Sequence, residues 1–399
     1  MASPDNTTAG PAPRLPAAQR REQLALAAAA RFHQLGYHRV SLADVAREVG
    51  VTGPAVYRHF RSKQALLAEA ISLGLDQVED ALARTADGSL DDMVASVADI
   101  GLDRPDLWVL VQRESKFLDL ESGAKVQRQF SRVADGFVDR LLRDRPTLTR
   151  GTARLLVAAA TAALSSPSVS RTTLPRTVYR RELTEAALAA LRVDLDNAPA
   201  HHPPAPTESK RPEPVDSRRE EVVDKAIDLF FRLGYAAVTL DDIGAAVGMA
   251  GPSLYHHFPT KADILVAALD RATAQLAAAQ RRRAEQEREP GLDELITSYT
   301  DFCLRNRALV GIYVSESGNL PPSVRNQTIA VLREGMRQWT TAARTQDSRL
   351  YEAVARVRVH AALAAVHDVV RLGQLYTRPR IAEEIDAILY AILARGARD

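Results

Sequence analysis

The stretch that decides the fold runs from Arg20 to Lys63 and reads RREQLALAAAARFHQLGYHRVSLADVAREVGVTGPAVYRHFRSK. It recurs 198 positions later, from Arg218 to Lys261, as RREEVVDKAIDLFFRLGYAAVTLDDIGAAVGMAGPSLYHHFPTK, with 19 of 44 positions identical. Solenoid repeats have periods of roughly 20 to 50 residues, so this spacing indicates two copies of a whole domain. We expect the two copies to share one kind of target.

Helical spacing of apolar residues dominates each copy. It predicts a first helix with one buried stripe. No run alternates as a half-buried strand would, so the chain is predicted to be all-α. Gly36 and Gly234 follow the stripe, where a left-handed glycine would end the helix, and Tyr37 and Tyr235 are expected to seal the corner. The stripe comprises Leu24, Ala28, Phe32 and Leu35 in the first copy and Val222, Ala226, Phe230 and Leu233 in the second.

Two short helices should follow each corner. Ser41 and Thr239 stand where a side-chain oxygen caps the first of them, which ends at Gly50 or Gly248. Two short helices joined by a glycine-containing turn form a helix-turn-helix, whose second helix enters the major groove of DNA. The pattern therefore predicts two DNA-binding heads.

The second of these helices carries the candidate contacts. Thr52 is expected to cap it, Gly53 to let the backbone approach phosphate, and Pro54 to fit its first turn. Val56 and Phe60 should be buried, which leaves the residues between them near the surface. Tyrosine and histidine there can donate to phosphates, and arginine can bind guanine or the backbone. The candidate DNA contacts are Ser41, Thr52, Gly53, Pro54, Ala55, Tyr57, Arg58, His59 and Lys63 in the first copy, and Thr239, Ala250, Gly251, Pro252, Ser253, Tyr255, His256, His257 and Lys261 in the second.

The second helices of the two helix-turn-helix motifs should prefer different bases. His256 replaces Arg58, Ser253 replaces Ala55, and Ala250 lacks the hydroxyl of Thr52. Lys63 and Lys261 occupy the first turn of the next helix, where a lysine opposes the helix dipole unless an anion lies close. A DNA phosphate would account for that placement.

The stretches Phe32–Lys63 and Phe230–Lys261 resemble the DNA-binding signature of the TetR repressors, with VGxxGPxxYxHFxxK after GY…[ST]LxD[VI]. The resemblance implies about nine helices per copy, three in a DNA-binding head and the rest in a ligand-binding and dimerising body. The double arrangement is similar to tandem members of that family, including the mammalian-cell-entry operon repressor of actinobacteria, whose middle segment resembles Gln112-Arg113-Glu114-Ser115.

The resemblance also implies an effector pocket in each body, although whether both pockets function stays open. Glu114 and Glu316 could orient a polar group of a ligand, or they could pair with Arg113 or other arginines. The residues suited to an apolar effector, which could instead be plain core, are Trp108, Gln112, Phe117, Tyr299, Phe302, Tyr313 and His360.

Five segments follow from these patterns. After a lead-in up to Pro16, we expect a first head at 17–72, a first body at 73–196, a proline-rich linker at 197–215, a second head at 216–270 and a second body at 271–399. Each body ends in two helices rich in small residues, and such pairs form a four-helix dimer interface in the family. Since an extended linker can span ~60 Å, one chain can supply both pairs and form an intrachain pseudo-dimer. Further self-association stays open.

Composition limits the remaining possibilities. The formal charge of +2 is too mild to mark the whole surface as a polyanion binder. Cys303 is the only cysteine, which excludes an intrachain disulfide and suits the cytoplasm. The longest apolar run, Leu155–Leu164, is about half the ~20 residues that span a bilayer. No membrane partner is expected.

Other kinds of site find little support. His201-His202 and the pair His360 and His367 invite a metal interpretation, but neither has the spacing of a complete ligand set. Neither a catalytic motif nor a cofactor motif occurs, so we expect no enzyme, metal or cofactor.

The prediction is therefore a cytoplasmic transcription regulator. It would be a repressor released by a small apolar effector, and it would bind an operator with two non-identical half-sites about one helical turn apart. Activation stays open. The alternative is a small-molecule-binding or protein-interaction scaffold without an operator.

Overall fold

The structure is a computed structural model that describes residues 16–168, 170, 172–202, 217–235, 237–249, 251–285, 289–316 and 322–394. Within these ranges the chain is helical and contains no strand, which confirms the all-α prediction. Residues 1–15 of the predicted lead-in and 203–215 of the predicted linker lie outside the described residues. The segment limits stay predictions.

Each half contains nine α-helices among the described residues, as the resemblance implies. The first half comprises α1 (Ala17–Leu35), α2 (Leu42–Val49), α3 (Gly53–Tyr57), α4 (Lys63–Arg84), α5 (Leu90–Asp103), α6 (Pro105–Val109), α7 (Leu120–Asp144), α8 (Arg150–Ser165) and α9 (Arg176–Arg192). The second comprises α10 (Ser217–Leu233), α11 (Leu240–Ala246), α12 (Gly251–His257), α13 (Lys261–Glu285), α14 (Leu292–Arg305), α15 (Arg307–Glu316), α16 (Pro322–Gln346), α17 (Glu352–Arg371) and α18 (Ile381–Leu393).

The heads are built by α1 to α3 and α10 to α12, which pack on the first turns of α4 and α13. The predicted stripe is buried at Leu24, Ala28 and Phe32. It was wrong at its last position, because Leu35 is 39% exposed and its counterpart Leu233 is 57% exposed. Each is the last residue of its helix, where the chain turns away from the core.

The glycine corner differs from the predicted left-handed helical cap. Gly36 has φ 81° and ψ 151°, so the chain leaves α1 in an extended direction that glycine alone adopts freely. Gly50, which ends α2, has the left-handed values φ 72° and ψ 31°. Tyr37 then packs its ring 5.4 Å from that of Phe32, and thus closes the corner against the core as expected.

The two halves share one core. Helices α8 and α9 pack against α17 and α18, and buried small residues such as Ala159, Ala163 and Ala362 line the contact. A buried ion pair crosses it: Arg358 of α17 donates through Nε and Nη2 to Glu182 of α9 at 3.0 and 2.8 Å. These side chains are 4% and 1% exposed. The four small-residue helices therefore form one bundle within a single chain.

The start of the linker is fastened to the second body. The ring of His201 lies between two carboxylates, with Nδ1 2.6 Å from Asp386 of α18 and Nε2 3.7 Å from Asp301 of α14. Arg380 donates to the carbonyl of Ala198 at 3.2 Å. These contacts hold residues 198–202 against α14 and α18.

Candidate nucleic-acid interface and ligand cavities

Helix α3 presents an exposed tyrosine above a buried anchor. Val56 and Phe60 are 0% and 1% exposed, as their four-residue spacing predicts, whereas Tyr57 is 61% exposed. The helix is too short to be stable alone, so burial of these two side chains fixes its orientation. Its other candidate contacts divide into exposed residues, namely Thr52, Pro54 and Arg58, and partly exposed ones, namely Gly53, Ala55 and His59.

The guanidinium group of Arg21 holds this helix against the rest of the head. Arg21 of α1 donates to the carbonyl of His59 at 2.6 Å and, through two parallel bonds of 2.8 Å, to Glu69 of α4. The same group lies 4.4 Å from the centre of the Phe60 ring. In the second head Arg219 stacks on Phe258 in the same way, at 4.0 Å. Ala267 stands where Glu69 would be, and Nη1 of Arg219 is buried with no hydrogen-bond partner among the described residues.

Ser41 and Thr239 cap α2 and α11, as predicted, and each cap is part of a capping box. The Ser41 hydroxyl accepts from the Asp44 amide at 3.2 Å, and the Asp44 carboxylate accepts from the Ser41 hydroxyl at 2.7 Å and from the Ser41 amide at 2.9 Å. The two bonds to the carboxylate, that of the hydroxyl first, lower the pKa of Asp44 to about 2. Thr239 and Asp242 repeat the arrangement. The cap predicted at Thr52 is wrong, since within the described structure the Thr52 side chain makes no capping bond to α3.

The two first-turn lysines have protein partners. Lys261 donates to the carbonyls of Tyr235 and Val238, at 2.6 and 2.7 Å, and its ammonium lies over the Tyr235 ring. Lys63 lies 4.1 Å from the centre of the Tyr37 ring. Burial lowers the pKa of both ammonium groups. Each lysine therefore fastens the corner to the following helix, which accounts for its position without a phosphate.

The second reading helix, α12, repeats the arrangement. Leu254 and Phe258 are buried, and Tyr255 is 50% exposed. Pro252, Ser253 and His256 are exposed, whereas Gly251 and His257 are partly exposed. The rings of His256 and His257 lie 5.9 Å apart. Ala250 lies outside the described residues.

The heads differ most in charge. Residues 20–63 contain eight basic and three acidic residues, whereas residues 218–261 contain five basic and six acidic ones. Four exposed arginines around α3 account for much of this difference. The helix-turn-helix signature predicts only Arg58 as a contact. The other three are found by comparing the charge of the two copies position by position. The four are Arg39, Arg47, Arg58 and Arg61, whose exposed counterparts are Ala237, Ala245, His256 and Pro259.

The family model of bacterial regulatory proteins of the tetR family matches this chain twice, at residues 25–70 and 222–268. The two matching stretches lie within the two heads and show the tandem arrangement. Over 78 residues it is 37% identical to the HTH-type transcriptional activator FasR of Mycolicibacterium smegmatis, a stretch covering 18% of this chain and 36% of that protein. The match thus spans about a third of the length of that relative.

Solved structures of transcriptional regulators resemble part of the chain. PfmR from Thermus thermophilus has 24% identity and a TM-score of 0.39, and the match covers 46% of this chain and 100% of that one. The ketosteroid transcriptional regulator KstR2 of Mycobacterium tuberculosis has 21% identity and a TM-score of 0.38, with 45% and 94% covered. The narrower resemblance of Gln112–Ser115 to the mammalian-cell-entry operon repressor stays a prediction.

Beneath the first tetR-type head, residues 110–117 join head and body. A π-helical turn at Leu110–Glu114 and a 3-10 turn at Ser115–Phe117 continue α6. The buried Glu114 carboxylate accepts from the Tyr37 amide at 3.2 Å, and burial raises its pKa. The Phe117 ring stacks on Tyr37 at 5.0 Å.

Both glutamates have protein partners, and the roles predicted for them stay predictions. Glu114 accepts from the backbone of the head corner, and Glu316 of α15 forms an ion pair with Lys116. Glu316 is 1% exposed and lies beneath the second head, so this pair connects the two halves. Phe117, predicted to face a ligand, belongs to the head junction, where it borders a cavity of about 290 Å³.

Only some of the predicted ligand contacts line a sizeable cavity. Trp108 and Gln112 border a cavity of about 370 Å³, and Trp108 also borders an adjoining one of about 610 Å³. Tyr299 and Phe302 line a cavity of about 90 Å³ in the second body. Tyr313 packs against the core of the second head instead. His360 lies on α17, and burial and Arg356 lower its pKa to about 4.

Metal and membrane interpretations find no support in the described ranges. No cluster of three or more histidine, cysteine or acidic residues there could hold a metal ion, and His201 is paired with carboxylates instead. His367 accepts or donates a 2.7 Å bond with the Tyr299 hydroxyl, in the core of the second body. None of the helices in these ranges combines the length and the apolar character needed to cross a bilayer.

Proposed function

We propose that this protein is a transcription regulator that binds double-stranded operator DNA with both heads of one chain. The observation that carries the proposal is the repeated head, in which a short helix is anchored by one buried face and presents Tyr57 or Tyr255 to solvent. Helix-turn-helix proteins place this helix in the major groove and use two of them per site. We place its action in the cytoplasm, where it can reach DNA.

The unequal charges of the heads support an operator with two unlike halves. Binding to the phosphate backbone depends on the number of cations that displace counterions. The first head offers Arg39, Arg47, Arg58 and Arg61 around its reading helix, and the second offers one histidine, His256, at these positions. The first head would thus supply most of the affinity. The second would add selectivity through α12.

The four-helix bundle supports an operator complex with a single chain. Ordinary dimeric regulators obtain their second head from another copy, whereas here α8 and α9 already have partners in α17 and α18. A chain of 43.6 kDa would occupy one operator, with further self-association as the contrary result.

Repression with release by a small effector is the mode we propose. A regulator that covers a promoter blocks transcription until an effector binds a state in which the heads no longer match the groove spacing. Only a difference in effector affinity between the two states can shift that equilibrium. Activation is the second candidate, because a 37% identical relative is named an activator.

Selection of bound fragments from host genomic DNA would identify the operator, and fluorescence anisotropy with that fragment tests the function. We expect one chain per operator and a steep loss of affinity with salt. Tyr57→Phe should weaken binding to all sequences, whereas Arg58→Ala should relax selectivity in one half-site only. A ligand-binding or interaction scaffold without an operator would show no selected sequence and little salt dependence. A reporter gene behind the operator then separates repression from activation.

A further inference from the structure

The first body contains two adjoining chambers. The polar chamber, about 370 Å³, is bordered by Gln112, Lys116, Asp368 and Arg371, and the apolar chamber, about 610 Å³, by Phe137 and Val157 among others. Trp108, Phe130 and Thr161 border both chambers, so the chambers meet at these side chains. Asp368 and Arg371 come from α17 of the second half. The chambers are therefore built by both halves.

The internal duplication shows why the second body differs. At an offset of 202 residues, Val111, Thr161 and Ser165 of the polar chamber correspond to Tyr313, Leu363 and His367. Each counterpart is bulkier. His367 is bonded to Tyr299 at 2.7 Å, and the ring of Tyr299 lies 5.8 Å from that of Trp339. Of the three counterparts, Leu363 borders a cavity of about 90 Å³ in the second body, which Tyr299 and Trp339 also line.

The guanidinium group of Arg371 borders the polar chamber, and only some of its N–H groups have partners among the described residues. Arg371 is 12% exposed and donates through Nη2 to Asp368 at 2.7 Å, while Asp368 also accepts from Gln112 at 2.9 Å. Nε of Arg371 is buried without a partner among the described residues. A buried donor left unpaired costs free energy, so a shift of the Arg371 side chain that brings Nε to an acceptor in the chamber is favoured. The Asp368 carboxylate balances the positive charge, so this acceptor need not be an anion.

One wall of the polar chamber contacts both heads. We name residues 110–118 the coupling segment. Its members Val111, Gln112 and Lys116 border the chamber. Toward the first head, the coupling segment binds the Tyr37 amide through Glu114 and accepts from Gln64 through the Phe117 carbonyl at 3.0 Å.

Toward the second half, Lys116 pairs with Glu316, and its side chain lies 3.6 Å from the Cβ position of Gly234, the corner of the second head. The segment also contains the π-helical turn, a form that is often found at functional sites. A ligand that moves this wall therefore acts on both heads.

We propose that the chain has a single effector site, formed by the two chambers, for an elongated apolar molecule that ends in one hydrogen-bond acceptor. The apolar body would lie along Phe130, Phe137 and Val157, and the acceptor would reach Arg371. The regulatory role of the site rests on the proposed function, because the coupling segment has to change the positions of DNA-binding heads. The existence of the site does not depend on the proposed function.

Three probes with alkyl chains of nine or ten carbons test the ligand class on the full chain without DNA: decanoate, decyl methyl ketone and decyltrimethylammonium. Titration calorimetry should give one site per chain for the first two probes. The third has no acceptor and should bind roughly tenfold more weakly or worse, the loss expected for a missing hydrogen bond to a charged donor. Two sites per chain, or preference for the cationic probe, would overturn the proposal.

Tryptophan emission locates the site. Trp108 and Trp339 are the two tryptophans of the chain. In the Trp339→Phe variant all emission comes from Trp108, which borders both chambers, and decanoate should change it. The Trp108→Phe variant, which keeps Trp339 in the second body, should show little change. A response confined to Trp339 would place the ligand in the second body and refute the assignment.

A matched pair of substitutions tests the volume. Thr161 and Thr345 each donate from the hydroxyl to the carbonyl four residues earlier, at 2.8 and 3.0 Å, but Thr345 is exposed and far along α16. Thr161→Trp should abolish decanoate binding, whereas Thr345→Trp should leave it intact. Arg371→Gln keeps one donor for Asp368 and should weaken decanoate and the ketone roughly tenfold, whereas the cationic probe should bind at least as well as before because the Asp368 charge is no longer balanced. Far-UV circular dichroism checks that each variant folds.

Anisotropy with the selected operator separates the two levels of the proposal. Decanoate should lower operator affinity in the wild-type chain and leave it unchanged in Thr161→Trp. A chain that binds DNA but none of the probes refutes the effector site and leaves the proposed function standing. A chain that binds one decanoate but no DNA refutes the proposed function and keeps the site.

Discussion

Residues that both copies share act mainly on the protein itself. Lys63 and Lys261 each fasten the corner of their own head, and Arg21 and Arg219 each stack on a buried phenylalanine. Some residues that point outward differ, as with Arg58 and His256, whereas the exposed Tyr57 and Tyr255 are shared. Identity between the copies therefore preserves the shape of the head and this tyrosine, while the charge differences fall on the surface that would meet DNA.

Gly36→Ala should destabilise the first head by about 1–3 kcal/mol, because φ 81° with ψ 151° is open to glycine and strained for alanine even where space is free. Gly53→Ala is the matched control. Its Cβ position is also free of contacts, and no positive φ occurs there, so stability should be unchanged or slightly higher. Urea unfolding followed by circular dichroism measures both. Equal effects of the two substitutions would contradict the strain argument.

Acid should weaken the second body through His367. Burial and the charge of Arg371 lower its pKa from 6.5 to about 4. Because the folded pKa is the lower one, the unfolded chain takes up the proton first as pH falls. This stabilisation is complete above pH 6.5 and is lost as pH falls towards 4. Melting temperatures of wild type should decrease over this range, and those of His367→Leu should decrease less. Parallel profiles would exclude His367 as a source of the acid sensitivity.

At the scale of elements, the spacing of residues along the chain predicts more of the structure than the identity of any single side chain does. The capping boxes and the burial of Val56 and Phe60 follow from residues three or four apart, so the sequence predicts them. The partners of Lys261 do not follow, since they lie 23 and 26 residues away and depend on how α13 packs on the head. Phe117 shows the same limit: its apolar character fits a ligand cavity as well as it fits the Tyr37 ring.

The pairing of α9 with α17 depends on complementary residues in the two halves. At an offset of 202 residues Arg358 corresponds to Leu156, and Glu182 corresponds to Glu384. Glu384 is paired with Arg378 of its own half, whereas Arg358 of the second half pairs with Glu182 and Glu185 of α9, and Glu182 also pairs with Arg181. Two first halves facing each other would bury Glu182 against Leu156. The ion pair therefore favours pairing of unlike halves, which one chain supplies.

Arg358→Met should destabilise the bundle, by less than the about 3–5 kcal/mol of a fully unpaired buried charge, because the buried Glu182 carboxylate then keeps only the half-exposed Arg181 as its cation. The double variant Arg358→Met/Glu182→Met removes both charges and should recover most of the loss. Thermal unfolding and light scattering measure stability and mass, and Arg356→Met, an exposed neighbour on α17, serves as the control. If the double variant were no more stable than Arg358→Met, mutual dependence of the two charges would be ruled out.

For the whole molecule, the shared bundle of the two bodies joins two heads of opposite charge balance. The shared bundle fixes both heads on one scaffold, and the coupling segment contacts both. An effector in the first body would thus act on the basic head, which supplies electrostatic affinity, and on the acidic one, which supplies little. Loss of either head from its groove would weaken the complex, but loss of the first should weaken it more.

Removing positive charge from the first head, or adding it to the second, tests whether the first head supplies most of the electrostatic affinity. Removing Arg47, Arg58 and Arg61 together by substitution with alanine should reduce the slope of log affinity against log salt by up to about 3, since each lost phosphate contact accounts for ~0.9. The reciprocal variant Ala245→Arg/His256→Arg should raise affinity for all sequences and steepen the slope. Arg128→Ala, an exposed arginine on α7, is the control for a general charge effect. A slope unchanged by the triple substitution would mean that the first head is not the electrostatic anchor.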